Sequence, residues 1–377
     1  MAAKPKKKII FTGGGTGGSV TPLLAVAEAL VRLNARPQDS LFSDHPKSVV
    51  PVCEWEFLFV GTRGGPEREM IRDFNEEVGP MRFIPLVSGK LRRYFSPANF
   101  VDIFKVFASW FVSLRLIGKE KPDLIISAGS FVSVPLVWAA ALWRIPVVIH
   151  QADARPGLAN RLMAPFARIV TVTFEKSLAD FGAGAVYTGN PMRYFILDNE
   201  ELENIKKKYN IIPGRPLILV TGGGTGAAAI NRLVFKAATD LARSYQVVHI
   251  AGKGKLPGGM EYPAHYQVYE FIPNREVVGL MALSDLIIAR CGLAFLTELS
   301  ALGRAAILVP IPHSHQEDNA RIFADADAAV VLDQESLTAE KLAAEISRTL
   351  SDRALVARLR TQSGEVIRPG AAESIAR

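Results

Sequence analysis

An α/β protein of two similar halves, each built on a parallel sheet, is the fold class this sequence predicts, and three observations carry the expectation. Short β-branched runs alternate with helical patterns through most of the 377 residues. The runs are continuously apolar, as strands covered on both faces are. The hexapeptide TGGGTG occurs at Thr12–Gly17 and again at Thr221–Gly226, each time after an apolar strand and before a helical pattern, so the chain reads as two Rossmann-type halves. With 49% hydrophobic residues, a chain of this length exceeds one ordinary core, and a disordered chain is excluded.

The strands follow in order. KKIIF ends at Phe11, EFLFV at Val60, DLIIS at Ser127, PVVIH at His150 and RIVTV at Val172. The second half supplies PLILV ending at Val220, QVVHI at Ile250, DLIIA at Ala289, AAILV at Val309 and AAVVL at Leu332. GNPMR, Gly189–Arg193, marks a boundary, which divides the chain into 1–192, 193–365 and a terminal segment 366–377 expected to pack back on the first domain. The lysine-rich stretch 204–210 reads as a surface helix, and 339–360 is helical in pattern.

Net charge of +7 and a pI near 9.3 favour anionic partners: nucleic acid, an acidic membrane surface or phosphorylated small molecules. Two distant cysteines, Cys53 and Cys291, form no zinc or disulfide framework and fit a reducing compartment. Lys4–Lys8 is followed by only Ile9, Ile10 and Phe11 before the glycines, too short for a secretory signal. The longest apolar stretches, 104–117 and 131–149, are interrupted by Lys105 and Arg115, and by Pro135, Arg144 and Pro146, so no membrane-spanning helix is expected.

A glycine-rich turn feeding a helix exposes N–H groups at the positive end of the helix dipole, which suits a phosphate. A P-loop needs lysine after the last glycine, and Ser19 and Ala227 stand there instead. Gly13, Gly15 and Gly18 meet the dinucleotide pattern formally, but the second strand ends FLFVGTRGG without an acid at its tip. Tight turning under a packed helix, or one loop per substrate of a sugar-nucleotide enzyme, remain the other readings. Further on, ARCGLAFLTELSALGRAAILVPIP reads as strand, loop, helix and strand; the helix start can hold a phosphate, and Glu298 either accepts two ribose hydroxyls or is a surface carboxylate. HSHQEDNA, 313–320, places polar groups after a strand, and His313 and His315 lack companions for a metal site.

Together these pieces resemble the MurG family: GGGTGGSVTPLLAVAEAL, PDLIISAGSFVSVP, IPVVIHQADARPGLANR, YTGNPMR, VTGGGTGAAAIN, EFIPN, the Glu298 segment and HQEDNA occur in family order over almost the whole chain. The resemblance implies a GT-B fold, two Rossmann-like domains facing across a cleft. It implies inverting, metal-independent transfer of N-acetylglucosamine from UDP-N-acetylglucosamine to lipid I (undecaprenyl-pyrophosphoryl-MurNAc-pentapeptide), giving lipid II for peptidoglycan, cell shape and division. It further implies no cofactor, no nucleic-acid partner, and a peripheral position on the cytoplasmic face of the bacterial plasma membrane. By resemblance the Ile272 backbone reads uracil, Glu298 accepts the ribose hydroxyls, and the backbone of Leu293, Ala294, Phe295, Leu296 and Thr297 meets the phosphate. Gln316 matches the sugar-recognising glutamine, Arg193 an arginine of the donor site, and Thr16, Gly17 and Gly18 the first-loop positions that approach the donor.

Three departures concern chemistry. Ser19 replaces the family's usual histidine, His150-Gln151-Ala152-Asp153 replaces HEQN, and Gly224 replaces a serine in the second loop. Serine is a poor base at neutral pH, so Asp153, which restores a carboxylate to its loop, is the expected general base, with His150 second. With no metal-ligand cluster in the sequence, helix N-termini and Arg193 are expected to stabilise the leaving UDP. For the lipid acceptor, 88–119 combines Lys90, Arg92, Arg93, Lys105 and Arg115 with Phe95 and Trp110, and Phe100, Phe104, Phe107, Phe111 and Leu114 recur at helical spacing. That face suits an anionic membrane surface or the sheet beneath it. The competing functions are another UDP-sugar enzyme (a lipid glycosyltransferase or a UDP-N-acetylglucosamine 2-epimerase), a nicotinamide-dependent oxidoreductase, and a non-enzymatic nucleotide sensor.

Overall fold

Continuously apolar strands need helices on both faces, and the computed structural model, which describes residues 6–35, 54–87, 89, 98–193, 197–222, 227–257, 259 and 261–377, supplies them in two units. The first comprises Met1–Arg193 with Arg368–Arg377, the second Tyr194–Ile367.

The first unit runs β1 (Lys6–Thr12), α1 (Thr21–Ala35), β2 (Glu54–Gly61), α2 (Glu67–Glu77), β3 (Met81–Pro85), α3 (Ala98–Glu120), β4 (Leu124–Ser127), α4 (Ser133–Leu142), β5 (Val147–Gln151), α5 (Leu158–Met163), β6 (Ile169–Val172) and β7 (Ala185–Tyr187). Among the described residues its strands form one parallel sheet in the order β3-β2-β1-β4-β5-β6-β7. Successive residues of β1 enter opposite cores. Ile10 joins Leu58, Val60 and Ile125 beneath Ile117 and Leu136, whereas Ile9 and Phe11 join Phe57, Phe59 and Ile126 beneath Leu23, Val26, Ile71 and Phe74. Each such side chain contributes about 1.5–3 kcal/mol by leaving water.

The second unit runs α6 (Asn199–Lys208), β8 (Leu217–Thr221), α7 (Ala228–Ser244), β9 (Gln246–Ile250), β10 (Tyr266–Tyr269), α8 (Asn274–Leu283), β11 (Leu286–Ala289), α9 (Leu293–Leu302), β12 (Ala306–Leu308), α10 (His315–Asp325), β13 (Val330–Val331), α11 (Ala339–Ser351) and α12 (Arg353–Val366). Its parallel sheet has the order β10-β9-β8-β11-β12-β13 among the described residues. The first five strands of each unit therefore share one Rossmann order, with the chain reversing direction beside β1 and β8. The repeated hexapeptide is the sequence trace of that shared topology. A last helix, α13 (Ala371–Ala376), lies on α1 in the first unit, where Ala372 meets Ala25 and Ala29 and Arg32 pairs with Glu373 at 2.9 Å.

Two features differ from the sequence reading. β3, β7 and β10 went unread, and each is a sheet edge most of whose residues are half-buried or exposed, so no continuous apolar run announces it. The helical pattern over 339–360 is two helices, because Asp352 leaves the helical conformation and its carboxylate accepts the Leu355 N–H at 2.9 Å, capping α12. No helix among the described residues is long and apolar enough to cross a membrane. Replacing Asp352 by Ala removes that cap and should cost about 1 kcal/mol, read as a lower denaturation midpoint at unchanged denaturant slope.

Candidate active site

In the second unit three loops meet at the carboxyl ends of the strands, where open α/β sheets bind ligands. After β11, Gly292 offers no capping side chain to α9, and the first intrahelical bond runs from the Leu296 N–H to the Gly292 carbonyl at 3.0 Å. The N–H groups of Leu293, Ala294 and Phe295 thus have no partner among the described residues, at the positive end of the helix. The Thr297 hydroxyl turns back to the Leu293 carbonyl at 2.7 Å, so Thr297 serves its own helix. Glu298, one turn further, is pushed up to about 7 by burial, against the bond it accepts from Asn274 at the start of α8. It is a carboxylate short of donors.

Gln316, in the first turn of α10, ties the neighbouring loops together. Its Oε1 accepts the N–H groups of Cys291 at 3.3 Å and Ile311 at 3.2 Å, which leaves Nε2 as its outward donor. Ile272, after β10, is buried, yet its main-chain N–H and C=O bond to none of the described residues. Sequence reading missed Arg290, which donates to the carbonyls of Val309 at 2.9 Å and Pro310 at 3.0 Å and to Gln334, bracing the loop behind α9. Its position directly after an apolar strand was the available signal. Gly224 lies outside the described residues. His313 and His315 stand exposed, and no cluster of three or more metal-ligating groups occurs among the described residues.

In the first unit the glycine loop follows β1, and its N–H groups divide into two sets. That of Gly14 donates to Ser19 Oγ at 3.0 Å, and that of Gly15 to Glu67 Oε1 at 2.6 Å. Those of Thr16, Gly17 and Gly18 have no partner among the described residues. Ser19, standing where the family carries histidine, points inward, 3.1 Å from the Gly14 carbonyl and 3.3 Å from that of Thr16. Glu67, the acid nearest the tip of β2, is fully buried, so it offers no carboxylate to a ribose.

His150 and Arg193 are engaged within the first unit. His150 is buried, with Nδ1 3.0 Å from Thr171 Oγ1 and Nε2 2.9 Å from Asn190 Oδ1, and burial holds its pKa down at about 4 despite the Asn190 bond. With both ring nitrogens occupied, it is poorly placed to take a substrate proton. Arg193 donates to Glu28 at 3.1 Å and Glu77 at 2.6 Å; burial opposes its charge, but those two carboxylates raise its pKa above the ordinary arginine value. Both of those partners are carboxylates of the first unit, an environment unlike the donor site that resemblance assigns to Arg193. Gln151 folds the following loop by donating to the carbonyls of Asp153 at 2.7 Å and Arg155 at 3.1 Å while accepting from Asn160 at 2.7 Å. Asp153 itself is half-buried on that loop.

Three members of the α3 stripe turn outward, Leu114 packs against the core, and the side chain of Phe100 lies outside the described residues. Phe104, Phe107 and Phe111 are 75%, 54% and 58% exposed, while Val106, Ser109, Ser113 and Ile117 form the buried face. Trp110, read beforehand as a membrane residue, is half-buried against the first unit's core, its ring 5.1 Å from that of Phe111. Lys105, Arg115 and Lys119 are exposed on the same helix. Lys90, Arg92, Arg93 and Phe95 lie outside the described residues.

Comparison with known proteins places the chain in a family. The glycosyltransferase family 28 N-terminal domain matches residues 58–172 and the family 28 C-terminal domain residues 217–373. The UDP-N-acetylglucosamine--N-acetylmuramyl-(pentapeptide) pyrophosphoryl-undecaprenol N-acetylglucosamine transferase of Clostridium botulinum (strain 657 / Type Ba4) is 36% identical over 352 residues, 92% of each chain. The enzyme of the same description from Clostridium perfringens (strain SM101 / Type A) is 36% identical over 89% of this chain and 88% of its own. The crystal structure of Acinetobacter baumannii MurG superposes with a TM-score of 0.71 at 24% identity, covering 98% of both chains, and agrees in fold. The chain therefore belongs to glycosyltransferase family 28 and, within it, to the MurG family.

Proposed function

We propose that this glycosyltransferase moves N-acetylglucosamine from UDP-N-acetylglucosamine to the 4-hydroxyl of the muramyl sugar of lipid I, with inversion, forming lipid II. The observation that carries the reading is Glu298, a donor-starved carboxylate one turn inside a helix whose opening N–H groups are unspent. Ribose hydroxyls satisfy such a carboxylate, and a pyrophosphate satisfies such a helix end. The Ile272 main chain supplies one donor and one acceptor for the uracil edge, and Gln316 Nε2 donates to a sugar hydroxyl. In the first unit Thr16, Gly17 and Gly18 turn their N–H groups to substrate phosphate. Residue 224 belongs to the donor site by resemblance alone.

The acceptor oxygen attacks the anomeric carbon as the bond from that carbon to the UDP oxygen breaks, and the electron pair leaves with UDP. The α9 N–H groups face the charge that develops on the leaving phosphate and are already oriented toward it, so stabilising it needs little reorganisation. Arg193, held by Glu28 and Glu77, anchors its own unit in this scheme. Asp153 takes the acceptor proton; Gln151 and His150 shape the loop and the floor beneath it. The Phe104, Phe107 and Phe111 face, with Lys105, Arg115 and Lys119 beside it, rests on an anionic membrane surface at the cytoplasmic face of the bacterial plasma membrane, where lipid I is met.

Labelled UDP-N-acetylglucosamine and a soluble lipid I analogue should give a disaccharide product and free UDP; donor binding by folded protein without transfer would refute the assignment. Asp153→Asn should lower kcat by roughly 100-fold or more while UDP affinity holds, and near-normal turnover would remove Asp153 as base. Glu298 must be ionised to accept hydroxyls, so UDP affinity should rise as pH climbs through about 7 and lose that dependence in Glu298→Gln. The sign for stability is opposite: the folded state holds this proton more tightly than the unfolded state, so wild type should lose stability relative to Glu298→Gln as pH rises from the ordinary carboxylate range through about 7. Replacing Phe104, Phe107 and Phe111 together by Ser should weaken binding to phosphatidylglycerol-containing vesicles at least about tenfold, measured by sedimentation. Salt should weaken the wild type's binding.

A further inference from the structure

The first glycine loop is built around a carboxylate that the mechanism above does not use. Glu67 opens α2 and is fully buried. Its Oε1 accepts the N–H of Gly15 at 2.6 Å, the N–H of Thr62 at 3.2 Å and the hydroxyl of Thr62 at 2.8 Å. Its Oε2 is buried and has no hydrogen-bond partner among the described residues. The loop residues leave room for it: a Cβ at Gly14 would collide with Oε1, and one at Gly65 with Oε2. Gly14, in the loop read as ligand-facing, and Gly65 are thus both demanded by this side chain.

An orphaned, buried carboxylate oxygen is costly, so what the position contributes lies in its other oxygen, which accepts from Gly15 and Thr62. A carboxylate is favoured at the N-terminus of its own helix, and it accepts a stronger bond from Gly15 than an amide would. Gly15 immediately precedes the three residues whose N–H groups are unspent, so fixing Gly15 fixes the direction in which they point.

We propose that Glu67 is a positioning residue for the transfer reaction, holding the loop so that the N–H groups of Thr16, Gly17 and Gly18 form a ready edge for a substrate pyrophosphate oxygen. The inference rests on the transferase reading, since both the nucleotide donor and the lipid acceptor carry a pyrophosphate. A preset edge lowers the cost of ordering the loop around the reacting groups, and small misplacements there are expensive in rate.

The test uses the full chain with UDP-N-acetylglucosamine and a soluble lipid I analogue, and compares Glu67→Gln, Gly65→Ala and the double variant with wild type. Each single variant should lower kcat/KM about tenfold or more with the thermal midpoint little changed. The double variant should be no worse than the poorer single, because both act on one contact. A KM rise confined to the donor, or to the lipid analogue, identifies whose pyrophosphate the loop holds, and either supports the proposal. Wild-type kinetics in folded Glu67→Gln, losses that multiply in the double variant, or losses matched by loss of folded protein overturn it. If Glu67→Gln does not fold, Gly65→Ala, which leaves the carboxylate in place, decides by the same criterion; if neither folds, the role is purely structural and the proposal falls. Absence of transfer by wild type would instead refute the transferase reading itself.

Discussion

Parallel strands covered on both faces leave a protein with few places to act. In both units the sheet faces are sealed by apolar side chains, so away from the sheet edges polar main-chain groups surface where strands end and helices begin. The shared strand order puts a chain reversal beside the central strand of each sheet, and there the N–H groups of an opening helix or glycine turn are not consumed by the ladder. The α9 start and the Thr16–Gly18 edge are two products of this one constraint. Both offer main-chain donors, a feature that precedes any particular side chain.

What differentiates the two ends is how each treats its buried titratable groups. Glu298 has one hydrogen-bond partner against strong burial, so its proton is held up to about 7 and the group is open to further donors. Glu67 is fully buried, and three donors on one of its oxygens bind it to the loop it supports. His150 has both nitrogens occupied and remains neutral through most of the accessible pH range, its pKa held down at about 4. The same desolvation thus yields a receptive ligand group, a brace and a floor, according to the partners present.

Much was legible in the residues. Central strands announce themselves because their apolar runs are unbroken, and the edge strands β3, β7 and β10 do not because one side of each is left to solvent. Glu298 and Gln316 stood out through their places after strands, whereas Glu67 was hidden: a single acid in RGGPE has no pattern to reveal that it folds under a loop more than forty residues earlier. The α3 aromatics had a legible period but no legible direction. Helical spacing says which residues share a face, and only packing says whether that face meets the sheet or the solvent.

By itself the sequence determined the fold class and the duplication, which follow from local periodicity and from glycines at strand ends, and the family, which follows from an ordered series of motifs along almost the whole chain. Tertiary structure decided which N–H groups find partners among the described residues, that Ser19 turns into its own loop, that Arg193 is held by Glu28 and Glu77, and that Phe104, Phe107 and Phe111 of α3 point outward. Those outcomes depend on contacts between residues far apart in the chain. No local pattern encodes them, since hydrogen-bond partners and burial are properties of the assembled sheet and the helices packed on it.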